Sequence, residues 1–129
     1  GDVYKRQVIM STHISEDAER CDEVMIMHRG KILAFNKPDN LKEKVMGLVT
    51  VIDLHIYEDI DRAMNILRDR WVVSKTENKL SIMVRSFEKE LPQIMELLTS
   101  RGIDVAEVRV RKPTLSDVFI KLTGYSLES

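Results

Sequence analysis

The chain carries two textures of apolar and polar positions. Up to about residue 47, the apolar residues fall in short continuous runs at 8–10 and 24–27. Such runs suit strands buried on both faces, as in a parallel sheet. The first run ends in Ser11-Thr12-His13, and Ser15 is placed to cap a short helix with Glu16 and Asp17 in its first turn. Arg29-Gly30 is a turn signal and 31–35 returns as a strand, so the two runs around it predict a hairpin. Pro38-Asp39 then opens a short helix that reaches about Val45.

Beyond Gly47 the period changes. Thr50, Ile52, Leu54 and Ile56 share one face of a strand, and Asp53, His55 and Tyr57 share the other. This alternation predicts a sheet with one wet face. Asp59 is placed to cap a helix whose Ile60, Ala63, Met64 and Leu67 form a single stripe. Strands follow from Trp71 and over 80–84, joined at Glu77-Asn78. The next helix starts at Ser86 or Leu91, with Pro92 tolerated in its first turn, a stripe of Leu91, Ile94, Met95 and Leu98, and a stop at Gly102. Ala106, Val108 and Val110 alternate with charged residues as a last strand. The order over 48–112 is βαββαβ, which predicts a ferredoxin-like α+β plan with both helices on one face of an antiparallel sheet. Residues 113–124 form a final helix, with Thr114 and Asp117 at capping-box spacing and Gly124 as its stop. A boundary near residue 47 thus separates an α/β segment from an α+β module.

Composition narrows the function classes. With 129 residues, 43% of them hydrophobic, the chain can bury a core. Twenty basic residues against twenty-one acidic ones, a formal charge of -1, argue against a protein that coats nucleic acid. The single cysteine, Cys21, excludes an internal disulfide framework and a cysteine-rich zinc site. No apolar run approaches the roughly 18 residues of a membrane span, and no secretory signal pattern follows Gly1. These features predict a soluble intracellular chain with no direct membrane insertion.

Candidate chemistry is sparse. His13 follows a buried-type strand and precedes a helix, the place where open α/β sheets bind ligands. Flanked by Ser11 and Thr12, it can donate to a phosphate; a turn or capping histidine is the competing reading. His28 beside a turn, His55 on a polar strand face and Cys21 near a helix end read as ordinary surface or half-buried groups, and their spacing makes no metal site. Asp59 with Asp61, and Glu88 with Glu90, are i, i+2 pairs that point apart on a helix. Met10, Met25, Met27, Met64, Met83 and Met95 fall on apolar runs and read as core filling. Arg109, Arg111 and Lys112 make a small basic patch on one strand, read as a solvated face or a surface for an anionic partner. Only Gly30 among the five glycines precedes a lysine, and Ile32 follows that lysine, so the chain holds no G-K-[ST] phosphate loop. It also has no apolar strand ending in Asp-Glu to hold Mg²⁺.

Two stretches carry a resemblance. Residues 8–24, an apolar strand, Ser11-Thr12-His13, an acidic helix start and then Cys21-Asp22 before the next strand, resemble the switch-histidine region of ABC transporter ATPase subunits. The hairpin through Gly30-Lys31 and the helix of 38–44 continue the likeness. Pro113-Thr114-Leu115-Ser116-Asp117-Val118-Phe119 through Leu122-Thr123-Gly124 resembles the end of the C-terminal accessory domain in the multidrug and drug-efflux-like branch of these ATPases. The resemblance implies an end of a nucleotide-binding domain over 8–47 and an accessory domain over 48–129. Residues 1–7 match nothing in the family and read as foreign sequence, so truncation upstream is expected. It further implies that His13 contacts the γ-phosphate of ATP in the intact parent, with Mg²⁺ bound there as well. A membrane permease subunit and a second ATPase subunit are the implied partners, at the inner face of the cell membrane. The fragment alone is expected to be inactive, since the P-loop, the signature segment and the Asp-Glu strand are missing. The alternative is a non-enzymatic ferredoxin-like domain that binds a regulatory ligand or a protein. RNA binding ranks below both, because Tyr57 and Trp71 are isolated aromatics rather than a stacking run.

Overall fold

The computed structural model describes residues 6–9 and 16–124. In chain order these form β1 (Arg6–Ile9), a 3-10 helix (Glu16–Arg20), β2 (Glu23–His28), β3 (Lys31–Asn36), α1 (Pro38–Met46), β4 (Thr50–His55), α2 (Ile60–Leu67), β5 (Val72–Thr76), β6 (Lys79–Val84), α3 (Phe87–Ser100), β7 (Glu107–Arg111) and α4 (Leu115–Thr123). The result is a small α/β fold with two sheets and four α-helices. By contact the described residues separate into two units: one runs to Gly47 and resumes at Pro113, the other is Leu48–Lys112. Helix α4, grouped with 48–129 on sequence, therefore lies in the first unit.

In the first unit β1 runs parallel to β2, and β2 pairs antiparallel with β3. The β2–β3 turn is Arg29-Gly30, with φ of 53° and 77°. Two positive φ values in a two-residue loop match the right-handed twist of the flanking strands. A register shift between Ile26 and Met27 leaves Leu33 as an extra residue on β3. Val24 and Ile26 are fully buried, whereas Met25 and Met27 are only half-buried. The continuous run at 24–27 therefore marks a strand covered on one face, not both. Ile32 and Phe35 on the edge strand β3 stand exposed. Pro38 opens α1 at a position where its missing N–H costs nothing, and Leu41 and Met46 are buried. Helices α1 and α4 pack together. Leu115, Val118, Phe119 and Ile120 of α4 are buried, and Gly124 ends the helix at φ 77°.

The second unit is a four-stranded sheet in the order β5-β6-β4-β7, with every neighbouring pair antiparallel. One face carries the core: Ile52, Leu54, Leu80, Ile82 and Val84 meet Ala63 and Leu67 of α2 and Ile94 and Leu98 of α3. The amphipathic stripes read from the sequence are the ones that make this contact. Val108 and Val110 extend the same face onto the edge strand β7, yet remain 37% and 42% exposed. Alternation alone does not separate an edge strand from a central one.

Three local details depart from the pattern read in the sequence. The second face of β4 is wet at one end only: Val51 and Asp53 are buried there, His55 is half-buried and Tyr57 is exposed. Asp59 stands at the start of α2 with φ 67° but makes no side-chain cap bond. Helix α3 begins at Phe87, so Pro92 lies beyond the first turn. A proline there removes one helical hydrogen bond and usually breaks the helix. Helix α3 nevertheless continues through Pro92 to Ser100. At the other end, Gly102 takes φ 75°, its N–H bonds the Thr99 carbonyl, and the Ile103 N–H bonds that of Leu98. This is a Schellman closure, sealed by the buried Leu98 and Ile103.

The core argument yields a direct test. Ile82 is fully buried at the centre of the sheet. Ile82→Ala should destabilise the second unit by about 2–5 kcal/mol. Urea unfolding followed by the fluorescence of Trp71, the only tryptophan, reads this unit directly.

Candidate functional site

His13, with Ser11 and Thr12, lies outside the described residues, as does Met10. What is described is the frame on either side. Strand β1 ends at Ile9 and is parallel to β2, so the histidine segment follows the carboxyl end of a parallel strand. The 3-10 helix Glu16–Arg20 resumes the chain, with Ala18 buried beneath it.

Glu19 ties this short helix to two others. One carboxylate oxygen accepts from Lys42 Nζ of α1 at 2.6 Å. The other accepts from the Leu115 backbone N–H at 2.7 Å. Leu115 is the first residue of α4, where amides have no intrahelical acceptor and the helix dipole favours negative charge. The adjacent donors are satisfied locally. Asp117 Oδ2 accepts from the Thr114 N–H at 2.7 Å, and Thr114 Oγ1 accepts from the Asp117 N–H at 3.4 Å. The capping box read from the sequence is thus formed, with aspartate serving in place of the longer acid. One turn further on, the Phe119 ring meets the His28 ring edge-on at 5.7 Å. His28 is therefore a packing partner of α4 rather than a lone turn residue. Cys21 is half-buried and is the only cysteine.

In the second unit two of the three basic residues of the patch, Arg109 and Arg111, are paired with acids. Arg111 Nε donates to Asp53 Oδ2 at 2.7 Å, and Ser81 Oγ donates to Asp53 Oδ1 at 2.7 Å. Arg109 Nε donates to Glu107 Oε2 at 2.9 Å. His55 Nε2 lies 3.8 Å from Glu107 Oε1. These pairs explain how a carboxylate is buried in the sheet, and they leave little charge on β7 for an anionic partner. Of the i, i+2 acidic pairs, Asp59 and Asp61 meet different partners: Asp61 reaches Lys75 at 2.8 Å, and Asp59 faces Arg62 at 3.6 Å. Among the described residues no three His, Cys, Asp or Glu side chains converge as metal ligands do. No helix among them is long and apolar enough to cross a membrane.

Glu90 holds the entrance of α3. Its Oε2 accepts from the N–H groups of Arg85 at 2.8 Å and Ser86 at 2.7 Å, and its Oε1 accepts from Trp71 Nε1 at 2.9 Å. Arg70 lies over the Trp71 ring at 4.6 Å. Burial pushes the Glu90 pKa up, but the Ser86 amide, the Trp71 indole, the Arg85 amide and the Arg70 charge together outweigh it. Its pKa falls below the ordinary value. Sequence reading missed Glu19, Asp53 and Glu90 as anchors. For Glu90 a faint signal existed: an acid four residues after the N-cap Ser86, one position beyond the usual box.

Comparison with known proteins places this geometry. Residues 37–123 match the family described as ATP-binding protein DrrA1-3-like, C-terminal domain. The chain belongs to that family, within the ATP-binding proteins of ABC transporters. The daunorubicin resistance ATP-binding protein DrrA2 of Streptomyces coeruleorubidus is 24% identical over 127 residues, which is 95% of this chain and 39% of that protein. The uncharacterized ABC transporter ATP-binding protein YhcH of Bacillus subtilis (strain 168) is 28% identical, covering 94% of this chain and 38% of the relative. The Nod factor export ATP-binding protein I of Bradyrhizobium diazoefficiens is 27% identical, covering 95% and 38%. The chain thus spans 38–39% of the length of these relatives.

Two outcomes follow from the carboxylates of the second unit. A lowered folded-state pKa means that Glu90 contributes stability above its unfolded pKa, about 4.3, and loses it as pH falls through the lower folded value. Stability should therefore drop on acidification below about pH 4.5 in the native chain, and drop less in Glu90→Gln. Trp71 emission against urea at a series of pH values measures the difference. Asp53→Ala should cost about 1–3 kcal/mol, because it removes the acceptor of the buried Ser81 hydroxyl and of Arg111 Nε. A double-mutant cycle with Arg111→Met should return a coupling of about 1–2 kcal/mol, whereas Asp61→Asn at the exposed Lys75 pair should change stability by less than about 0.5 kcal/mol.

Proposed function

We propose that this chain is the C-terminal region of the ATP-binding subunit of an ABC transporter that drives export. The carrying observation is the family match over 37–123, joined to relatives whose similarity extends over 94–95% of the chain. That extent takes in residues ahead of 37, where Ser11-Thr12-His13 stands. On this reading 8–47 closes a nucleotide-binding domain and 48–129 is the accessory domain. The strand order β5-β6-β4-β7, antiparallel throughout with both helices on one face, supports a ferredoxin-like plan for 48–112.

The substrate is Mg-ATP, and the chain's own contribution to its hydrolysis is His13. An imidazole there donates to the γ-phosphate and helps place the attacking water. The cradle for the phosphates and the ligands for Mg²⁺ lie in sequence that this chain does not carry. A membrane permease and a second ATP-binding subunit complete the machine, at the cytoplasmic face of the membrane. The names of the relatives, one for daunorubicin resistance and one for Nod factor export, support an export role for this subunit.

A chimera tests the proposal. Residues 8–129 joined to the N-terminal part of YhcH should hydrolyse Mg-ATP. His13→Ala in that chimera should lower kcat by about 100-fold or more, the usual effect of removing one transition-state donor, with little change in KM. Hydrolysis undiminished by His13→Ala would remove the assigned role. The 129-residue chain by itself should show no saturable binding of fluorescent ATP, and tight Mg²⁺-dependent binding would overturn the proposal.

A further inference from the structure

We propose that the second unit pairs with a second copy of itself along the free edge of β7, so that two four-stranded sheets join into one of eight strands. Only residues 48–112 are involved, and the pairing is independent of the nucleotide reading above. Strand β7 closes the sheet order β5-β6-β4-β7, and β4 is its one strand partner among the described residues. The direction of its free backbone groups follows from the register. The Ile56 N–H bonds the Asn78 carbonyl, and the Ala106 N–H bonds the His55 carbonyl. Even-numbered residues of β4 therefore turn their backbone groups to β6, and odd-numbered ones to β7. Glu107, Arg109 and Arg111 sit opposite His55, Asp53 and Val51 and turn theirs to β4. Val108 and Val110 turn their N–H and C=O groups outward, an open template for a further strand. Their side chains are exposed as well.

The order of charge along this edge selects a second copy as the occupant. Glu107 and Arg109 are exposed and alternate with the two valines. Edge strands usually carry charge that repels a like strand. Here the two charges are of opposite sign and two residues apart, so the edge is complementary to its own antiparallel copy. A two-fold axis through Val108 sets it opposite the partner's Val108, and the two exchange backbone hydrogen bonds. The same axis sets Glu107 opposite the partner's Arg109, twice. Each Arg109 already donates to its own Glu107 at 2.9 Å, so the four side chains close a ring of alternating charge. Moving the axis by one residue sets Arg109 against the partner's Arg109, or Glu107 against the partner's Glu107, and like charges directly opposite are unfavourable. A two-fold contact of this kind closes at two copies. One pair of five-residue strands buries less than the roughly 1,200 Å² of a stable interface, so the dimer is a reversible one.

Sedimentation of the whole 129-residue chain, at concentrations up to about 1 mM to populate a weak contact, tests the pairing. The native chain should show a monomer–dimer equilibrium. Arg109→Glu turns two attractive cross-strand pairs into repulsive ones and should raise the dissociation constant by about tenfold or more. Adding Glu107→Arg to it restores the alternation of sign and should restore the dimer. Val108→Pro removes an outward N–H without touching a bond to β4, and should abolish pairing. Arg109→Glu, at an exposed position, decides the matter if Val108→Pro does not fold. Oxidative cross-linking in a Cys21→Ser background reads the register. Val108→Cys should give a disulfide-linked dimer and Val110→Cys far less, because residue 108 meets itself at the axis. A chain that stays monomeric overturns the proposal and leaves the β7 edge to a strand of another protein. A dimer indifferent to Arg109→Glu overturns it too, as does cross-linking equally strong at 110 and 108.

Discussion

A helix that starts inside a folded unit leaves backbone N–H groups with no carbonyl to receive them, and burying such donors unpaired costs about 1–3 kcal/mol each. In this chain carboxylates meet that demand at several helix starts. Glu19 takes the Leu115 amide, Asp117 takes that of Thr114, and Glu90 takes those of Arg85 and Ser86. Each acid serves a second partner from a different part of its unit or its own cap: Lys42 for Glu19, the Thr114 hydroxyl for Asp117, Trp71 for Glu90. The same groups that terminate the backbone accounting thereby set which helix sits against which. Hydroxyl caps fix only local geometry, whereas a long acid with two oxygens can join elements far apart in sequence.

That arrangement explains which parts of the fold the sequence disclosed. Helical stripes such as Ile60, Ala63, Met64 and Leu67 report packing with a fixed period, and the core on α2 and α3 was legible from them. The hairpin at Arg29-Gly30 was legible because the turn requires two residues at positive φ. Side-chain reach is not periodic. Nothing in the spacing of Glu19 and Leu115 signals a contact, and Glu90 caps α3 from one position too far for the standard box. Pro92 kept Leu91 open as a helix start beside Ser86, and the structure takes the Ser86 alternative, with Pro92 inside the helix.

The two faces of the four-stranded sheet show the same asymmetry. The apolar face could be read from alternation. The opposite face read as wet from Asp53, His55 and Tyr57, yet Asp53 is buried there, as is Ser81 on the neighbouring strand. Polarity identifies a group that needs a partner, not one that needs water. Here Arg111, one of the three residues of the basic patch, supplies the partner from a neighbouring strand. As for the candidate site, its chemistry rested on one residue, His13, and on motif likeness. The bonds of Glu19 to Lys42 and to the Leu115 amide carry no mark in the sequence.

The limits of the family match sharpen the architecture. It runs over 37–123, so it starts one residue before α1 and ends on the last residue of α4. Those two helices pack against each other within the first unit, while everything between them, 48–112, forms the second. The family thus joins two kinds of structure: a sheet unit inserted in the chain, and a helix pair whose closure requires the chain to return after it. Insertion between packed helices fixes both ends of the inserted unit and lowers the entropy cost of bringing α4 back to α1. A folded insert of this kind converts a gap of some seventy residues into a short effective linker. On that argument the stability of the second unit and the seating of α4 at Glu19 are linked through the chain itself, with no contact between the units required.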